Sequence, residues 1–332
     1  MNRAPTCSSA ILFLATCIGV ISPQTPPQPI ELIQAANAAS DLSGIGPYRL
    51  DAVVIVNRGT NGEKRGRLTV FQDHEKSRSE LEWGSYKELN IVLGSKLYVV
   101  RNAPARVPEL GKLFDVHKPW RAFRPPQDKL GQPFTLDLEG VKANCVALEL
   151  EYSAHRYCFD PSTKVLIENA WTKQKKPKEV IAETRYVDYR QIEGRYFPSA
   201  IRYFSPKKAV HEPGPELEDI QVTPAQLDPT LFSIPRNAGE FETCDDMQEP
   251  RLTKPEEPIY PLEAKLSHLQ GEVYIAVVIG KEGKLEEVRP ISGPPVLAQA
   301  ALDAIKKWRY SPAMCGTTPV AVEKELRVEF RM

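Results

Sequence analysis

The chain has 332 residues, with 43 basic and 43 acidic side chains and a formal net charge of zero. That length accommodates two domains, and the charge balance excludes the basic excess of a nucleic-acid-binding protein. A hydrophobic fraction of 42% suits a globular core, and the 30 prolines cluster between elements.

At the N-terminus Arg3 precedes an apolar stretch over residues 10–21. A run of about twelve is too short to cross a bilayer and has the length of a signal-peptide hydrophobic region. Residues 1–22 therefore read as a signal peptide or an N-terminal anchor. Leu14-Ala15-Thr16-Cys17 resembles a lipoprotein box, with Thr16 where a small Gly or Ala is usual. Lipidation of Cys17, ordinary cleavage near residues 19–22 and a retained anchor all stay open. Residues 23–29 form a short, stiff, proline-rich spacer. Ile30, Ile33 and Ala36 or Asn37 then fall at helical spacing, which predicts a helix over 30–41 ended by Gly44 and Gly46.

Residues 48–235 read as strand after strand, short, β-branched or aromatic, and bounded by Gly, Pro, Asn or Asp. The candidates are 51–57, 67–72, 79–83, 88–93, 96–101, 142–151, 157–160, 165–171, 184–190, 201–204 and 216–222. Such spacing predicts a large antiparallel sheet, curled or nearly closed. Residues 106–132 are punctuated by proline and predict a helix around 108–115 plus a long loop. The basic run 173–178 reads as a charged turn, with contact to lipid phosphates as the second reading.

Beyond the signal stand Cys145, Cys158, Cys244 and Cys315. An even number in an exported chain predicts two disulfides, with three connectivities possible. A hairpin turning at Glu151 and Tyr152 sets Cys145 opposite Cys158, Val146 opposite Tyr157 and Leu148 opposite His155. Ala147, Glu149 and Arg156 then take the other face. That register favours Cys145–Cys158, leaving Cys244–Cys315 to clamp the second domain. No Cys-x-x-Cys occurs and the five histidines are scattered, so no metal site is expected.

Residues 236–256 carry many breakers and no apolar period, and read as a linker between domains at 28–235 and 257–332. Leu262, Leu266 and Leu269 lie at helical spacing after Pro261, with Gly271 to end the helix. Residues 273–279 are apolar on both faces and predict a covered central strand. A Gly280–Gly283 turn leads to a returning strand over 285–291. Leu297, Ala301, Ala304 or Ile305, and Trp308 form the stripe of an amphipathic helix, with Trp308 read as core rather than as a binding residue. In the last strand Val320, Val322, Leu326, Val328 and Phe330 share one face, interrupted by Lys324. Glu323, Glu325, Arg327, Glu329 and Arg331 share the other.

The order Tyr260-Pro261, the strand from Gly271, Ile291-Ser292-Gly293, Lys307-Trp308-Arg309-Tyr310-Ser311-Pro312 and Pro319-Val320 resembles the TonB C-terminal domain. That resemblance implies docking on an outer-membrane receptor or other envelope protein by strand addition. The edge would be Lys324, Glu325, Leu326, Arg327, Val328, Glu329 and Phe330. Alternating charges that only keep an edge strand soluble explain the same pattern. Upstream, Cys158-Phe159-Asp160, Gly194-Arg195-Tyr196-Phe197-Pro198 and residues 227–235 look like LolA-type lipoprotein carriers, half-barrels around an apolar cavity.

The expected fold class is α+β. It combines a large curled antiparallel half-barrel with a helix and a small TonB-like α+β domain. The expected function is that of a periplasmic envelope protein linked to transmembrane transport, with an apolar ligand or acyl chain in the β domain. A lipid or lipoprotein carrier and a membrane-anchored energy transducer are the alternatives. The apolar stretch lacks the polar motor-contact residue of energy-transducing TonB proteins, and a folded β domain stands where those carry a long spacer. The nucleophile-elbow, P-loop, zinc-protease and dinucleotide-binding patterns do not occur, so neither an enzyme nor a cofactor is expected. Asp245-Asp246 reads as a solvated turn, and His155 and Cys158 fall on opposite faces of their strand.

Overall fold

The computed structural model describes residues 28–103, 106–107, 110, 123–150, 154–205, 212–213, 215–244 and 247–332. The expected signal or anchor, Cys17, Asp245-Asp246 and nearly all of the helix expected at 108–115 lie outside those residues. No described helix is long and apolar enough to cross a membrane.

Helix α1 (Pro29–Ser40) opens the described chain, its first turn capped by the Gln28 backbone N–H donating to Glu31 at 2.8 Å. Strands follow in chain order: β1 (Tyr48–Val56), β2 (Lys64–Asp73), β3 (Lys76–Trp83), β4 (Tyr86–Leu93), β5 (Lys96–Arg101), β6 (Phe134–Leu138) and β7 (Val141–Glu149). Then come β8 (Ala154–Phe159), β9 (Leu166–Lys173), β10 (Lys176–Ile192), β11 (Arg195–Ser205), β12 (Glu212–Pro213), β13 (Glu216–Pro224) and β14 (Gly239–Glu242). All pair antiparallel in one sheet with β14 and β6 at its ends, so the sheet is open. The tight turns after β3 and β4 begin on Gly84 (φ 61°) and Gly94 (φ 59°), a backbone that suits two-residue hairpins and strains other residues.

The sheet curls because α1 sits inside it. Leu32, Ile33 and Ala36 of α1 share one buried cluster with Leu50 and Val54 of β1 and with Val146 and Tyr157 of β7 and β8. Strands far apart in the sheet thus meet on the same helix, which makes a half-barrel. Asn37 fastens the helix further: its amide donates to the Phe123 carbonyl at 2.8 Å and accepts from the Phe123 N–H at 2.9 Å. Cys145 and Cys158 are bonded across β7 and β8, where Val146 stands opposite Tyr157 and Leu148 opposite His155. The far face of that hairpin is covered, not solvated. Arg156 is buried there in a bidentate pair with Glu168 at 2.6 and 2.7 Å.

The stretch 236–256, expected as a linker, is built into the fold. β14 pairs with β5 of the large sheet. β15 (Arg251–Lys254) pairs with β18 (Arg309–Ser311), which stands where the sequence suggested only a helix end. These pairings are long-range and leave no apolar period for a sequence reading to detect.

The C-terminal unit holds a second core. Helix α2 (Leu262–Leu266) precedes β16 (Gly271–Ile279) and β17 (Leu285–Ser292), and helix α3 (Pro295–Ile305) follows. After β18 come β19 (Ala313–Cys315), β20 (Thr318–Val320) and β21 (Val322–Phe330). The sheet order is β17-β16-β21, so β16 is central. Leu297, Ala301 and Ile305 of α3 pack on Val273, Ile275 and Ile279 of β16 and on Leu326, Val328 and Phe330 of β21. Helix α2 departs from expectation. It has 5 residues and buries Ala264. Positions two away lie about 200° around a helix, so Leu262 and Leu266 turn outward, 71% and 76% exposed.

Leu297→Ala is therefore expected to cost about 2–5 kcal/mol through an unfilled cavity. Leu262→Ala is expected to stay within about 0.5 kcal/mol of wild type. Urea denaturation of both variants checks the contrast.

Candidate docking edge and the joint behind it

Strand β21 pairs with β16 over its whole length of 9 residues, from Val322 opposite Ile279 to Phe330 opposite Gly271, without a register shift. Its other side has no strand neighbour among the described residues. Leu326, Val328 and Phe330 point into the core, and Glu325, Arg327 and Glu329 are exposed. Arg327 pairs with Glu272 of β16 at 2.5 Å, and Tyr274 donates its hydroxyl to Glu272 at 2.7 Å. Burial, then the nearby Glu272 carboxylate, pushes the Tyr274 hydroxyl up to about 12, so it remains a donor at neutral pH. Lys324 is partly buried and bonded to Glu249, so its side chain is engaged within the molecule.

The opposite edge of the sheet is built differently. β17 carries Pro290 opposite Ile275, and its pairing with β16 shifts register near both ends. Proline lacks a backbone donor, and irregular pairing bends an edge away from further strands. Both features blunt β17, and β21 has neither.

Behind the N-terminal end of β21 lies a joint to the large sheet that no motif announced. Arg101 of β5 holds Glu323 through Nη1 at 2.6 and 2.7 Å, and its Nε lies 3.4 Å from Glu88 of β4. Arg106 reaches the same Glu88 at 2.6 Å, and the Tyr86 hydroxyl also donates to it. The Glu88 side chain is wholly buried. Burial alone would raise its carboxyl, but the hydrogen bond and charge of Arg106 and the charge of Arg101 outweigh it. The group is held below its ordinary range. The sequence held one signal: Tyr86, Glu88 and Asn90 alternate on the inward face of β4, where apolar residues are the rule.

A covalent tie reinforces the joint. The Thr243 backbone still donates to Ser95 at 2.8 Å on the large sheet, yet the next residue, Cys244, is bonded to Cys315 of β19. Lys281 and Glu242 add an exposed pair at 3.1 Å.

Other expected features resolve plainly. The concave face assigned to an apolar ligand is occupied by α1. The void left there, lined by Ile33, Ala36, Phe123, Tyr157, Phe159 and Leu166, measures about 10 Å³. That is room for about one water. In the basic turn 173–178, Lys173 and Lys176 both pair with Glu179, at 2.6 and 2.8 Å. Trp308 is half-buried against the second core and donates its indole N–H to the Glu256 carbonyl at 2.8 Å.

Residues 256–332 match the family described as Gram-negative bacterial TonB protein C-terminal. Over 78 residues the chain is 30% identical to the protein TonB of Vibrio cholerae serotype O1, covering 23% of this chain and 32% of that one. The chain thus spans about a third of the length of the curated relative it matches. Among solved structures, a LolA superfamily protein from Nitrosomonas europaea has a TM-score of 0.43 at 11% identity, covering 62% of this chain and 98% of its own. A putative outer membrane lipoprotein-sorting protein domain from Vibrio parahaemolyticus has a TM-score of 0.42 at 11% identity, with 61% and 95% covered. Residues 256–332 are accordingly similar to a TonB C-terminal module.

Glu88→Gln removes the buried counter-charge that Arg101 and Arg106 share and is expected to destabilise the protein by about 3–5 kcal/mol at pH 7. A depressed carboxyl stabilises above its unfolded value and loses that contribution as pH falls through the folded one. The gap between wild type and variant should therefore narrow below about pH 4. Urea titrations at several pH values measure it.

Proposed function

We propose that this chain is a non-enzymatic protein of the Gram-negative periplasm. Its C-terminal module docks on an outer-membrane or other envelope partner, in the service of transmembrane transport, by accepting an extended segment along β21. The observation that carries this reading is the asymmetry of the two sheet edges. β17 is blunted by Pro290 and by register shifts, while β21 is regular and free of proline. A regular edge offers unpaired backbone donors and acceptors to an added strand. Residues 324–330 form the docking strand, with Glu325, Arg327 and Glu329 facing solvent, where they would select the partner's side chains.

Two further features support the setting. All four cysteines beyond the N-terminal segment are in disulfides, which accords with an oxidising compartment. The module's match to the TonB C-terminal family accords with a place in the cell envelope. In this reading the half-barrel is a folded platform that presents the edge, since α1 already fills its concave face.

A photo-crosslinking side chain at position 325, 327 or 329 is expected to form adducts with an envelope protein in intact Gram-negative cells. The same side chain at Glu287 or Arg289 of β17 is expected to form none. Adducts confined to β17, or absent from β21, would remove the basis for strand addition there.

A further inference from the structure

The segment entering the C-terminal unit leaves large apolar side chains in solvent. Ile259 is 83% exposed, beside the outward-turned Leu262 and Leu266 of α2. Single exposed apolar residues are ordinary, but a contiguous group at such exposure marks an interaction surface. Next to them a groove of about 360 Å³ runs between residues 256–261 and the outer face of α3. Its apolar walls are Ile259, Pro261, Val296 and Ala300. Val296, Gln299, Ala300 and Asp303 recur at helical spacing, so one face of α3 forms the wall throughout.

The rim has a sign. Glu256, Glu257 and Asp303 border the groove against Lys307. Lys307 lies 3.2 Å from Glu256, and Asp303 accepts a hydrogen bond from the neutral Gln299 amide at 2.9 Å. The surround is therefore net negative. That repels an anionic lipid surface and attracts a cationic ligand. The volume lies at the lower end of binding pockets, which run from about 300 to 1,000 Å³.

We propose that this groove is a second docking site, for a polypeptide segment that presents an apolar side chain beside a lysine or arginine. The site does not depend on strand addition. Tyr260 nevertheless packs edge-on against Phe330, ring centroids 5.5 Å apart, so the groove wall adjoins the last residue of β21. A partner held along that strand has the groove within reach.

The test is calorimetry on the full chain with two synthetic peptides, one alternating leucine and lysine, the other alternating leucine and glutamate. The lysine peptide is expected to bind below about 1 mM, and at least about tenfold more tightly than the glutamate peptide. Ala300→Phe, which fills the groove, and Asp303→Lys, which reverses its rim, should each weaken binding about tenfold or more. Both should leave the melting temperature and the β21 crosslinks unchanged. If Ala300→Phe fails to fold, the exposed, charge-neutral substitution Ile259→Ser takes its place. Equal binding of the two peptides, binding indifferent to these variants, no binding at about 1 mM, or preference for anionic vesicles would each overturn the proposal.

Discussion

The molecule depends on how its two sheets are joined. Arg101 sits between a buried carboxylate of the large sheet and Glu323 at the start of β21. Removing either carboxylate leaves the Arg101 guanidinium, in a site with little water, with only one of its two counter-charges. Cys244 adds a covalent staple one residue after the chain leaves the large sheet. The connection between the units thus has almost no free length. The proposed docking edge, residues 324–330, begins one residue after Glu323, which this joint holds.

The large sheet has its own constraint, the helix inside it. A sheet of this many strands twists and curls, and its concave face must be covered. Here α1 covers it, locked by Asn37 to the Phe123 backbone and by apolar packing with β1, β7 and β8. With α1 packed there, the proposed function treats the half-barrel as support and places docking on the regular edge of the C-terminal sheet and in the apolar groove beside it.

Much of this was legible in the residues. The Cys145–Cys158 hairpin followed from register alone, since only that alignment puts Val146 on Tyr157 and Leu148 on His155. The alternation in β21 was clear because one of its faces is buried and the other wet. The strands inside the stretch expected as a linker were not legible for the opposite reason. β14 and β15 are short pieces held by partners about 60 to 140 residues away in sequence, and neither has a local pattern. The spacing of the α2 leucines showed a shared helix face but not which way it turns, and the structure leaves Leu262 and Leu266 exposed.

The sequence by itself determined the elements and their sidedness: a strand-rich first part, a TonB-like module, an even set of cysteines and an alternating final strand. These follow from local periodicity and turn chemistry, which act between near neighbours. Only the tertiary structure decided that β21 is the regular edge and β17 the blunted one, that α1 closes the concave face, and that Glu88, Arg101 and Glu323 meet. Those facts depend on contacts between distant segments. Burial gives such contacts their energy, and no short stretch of sequence records which distant residue will supply the partner.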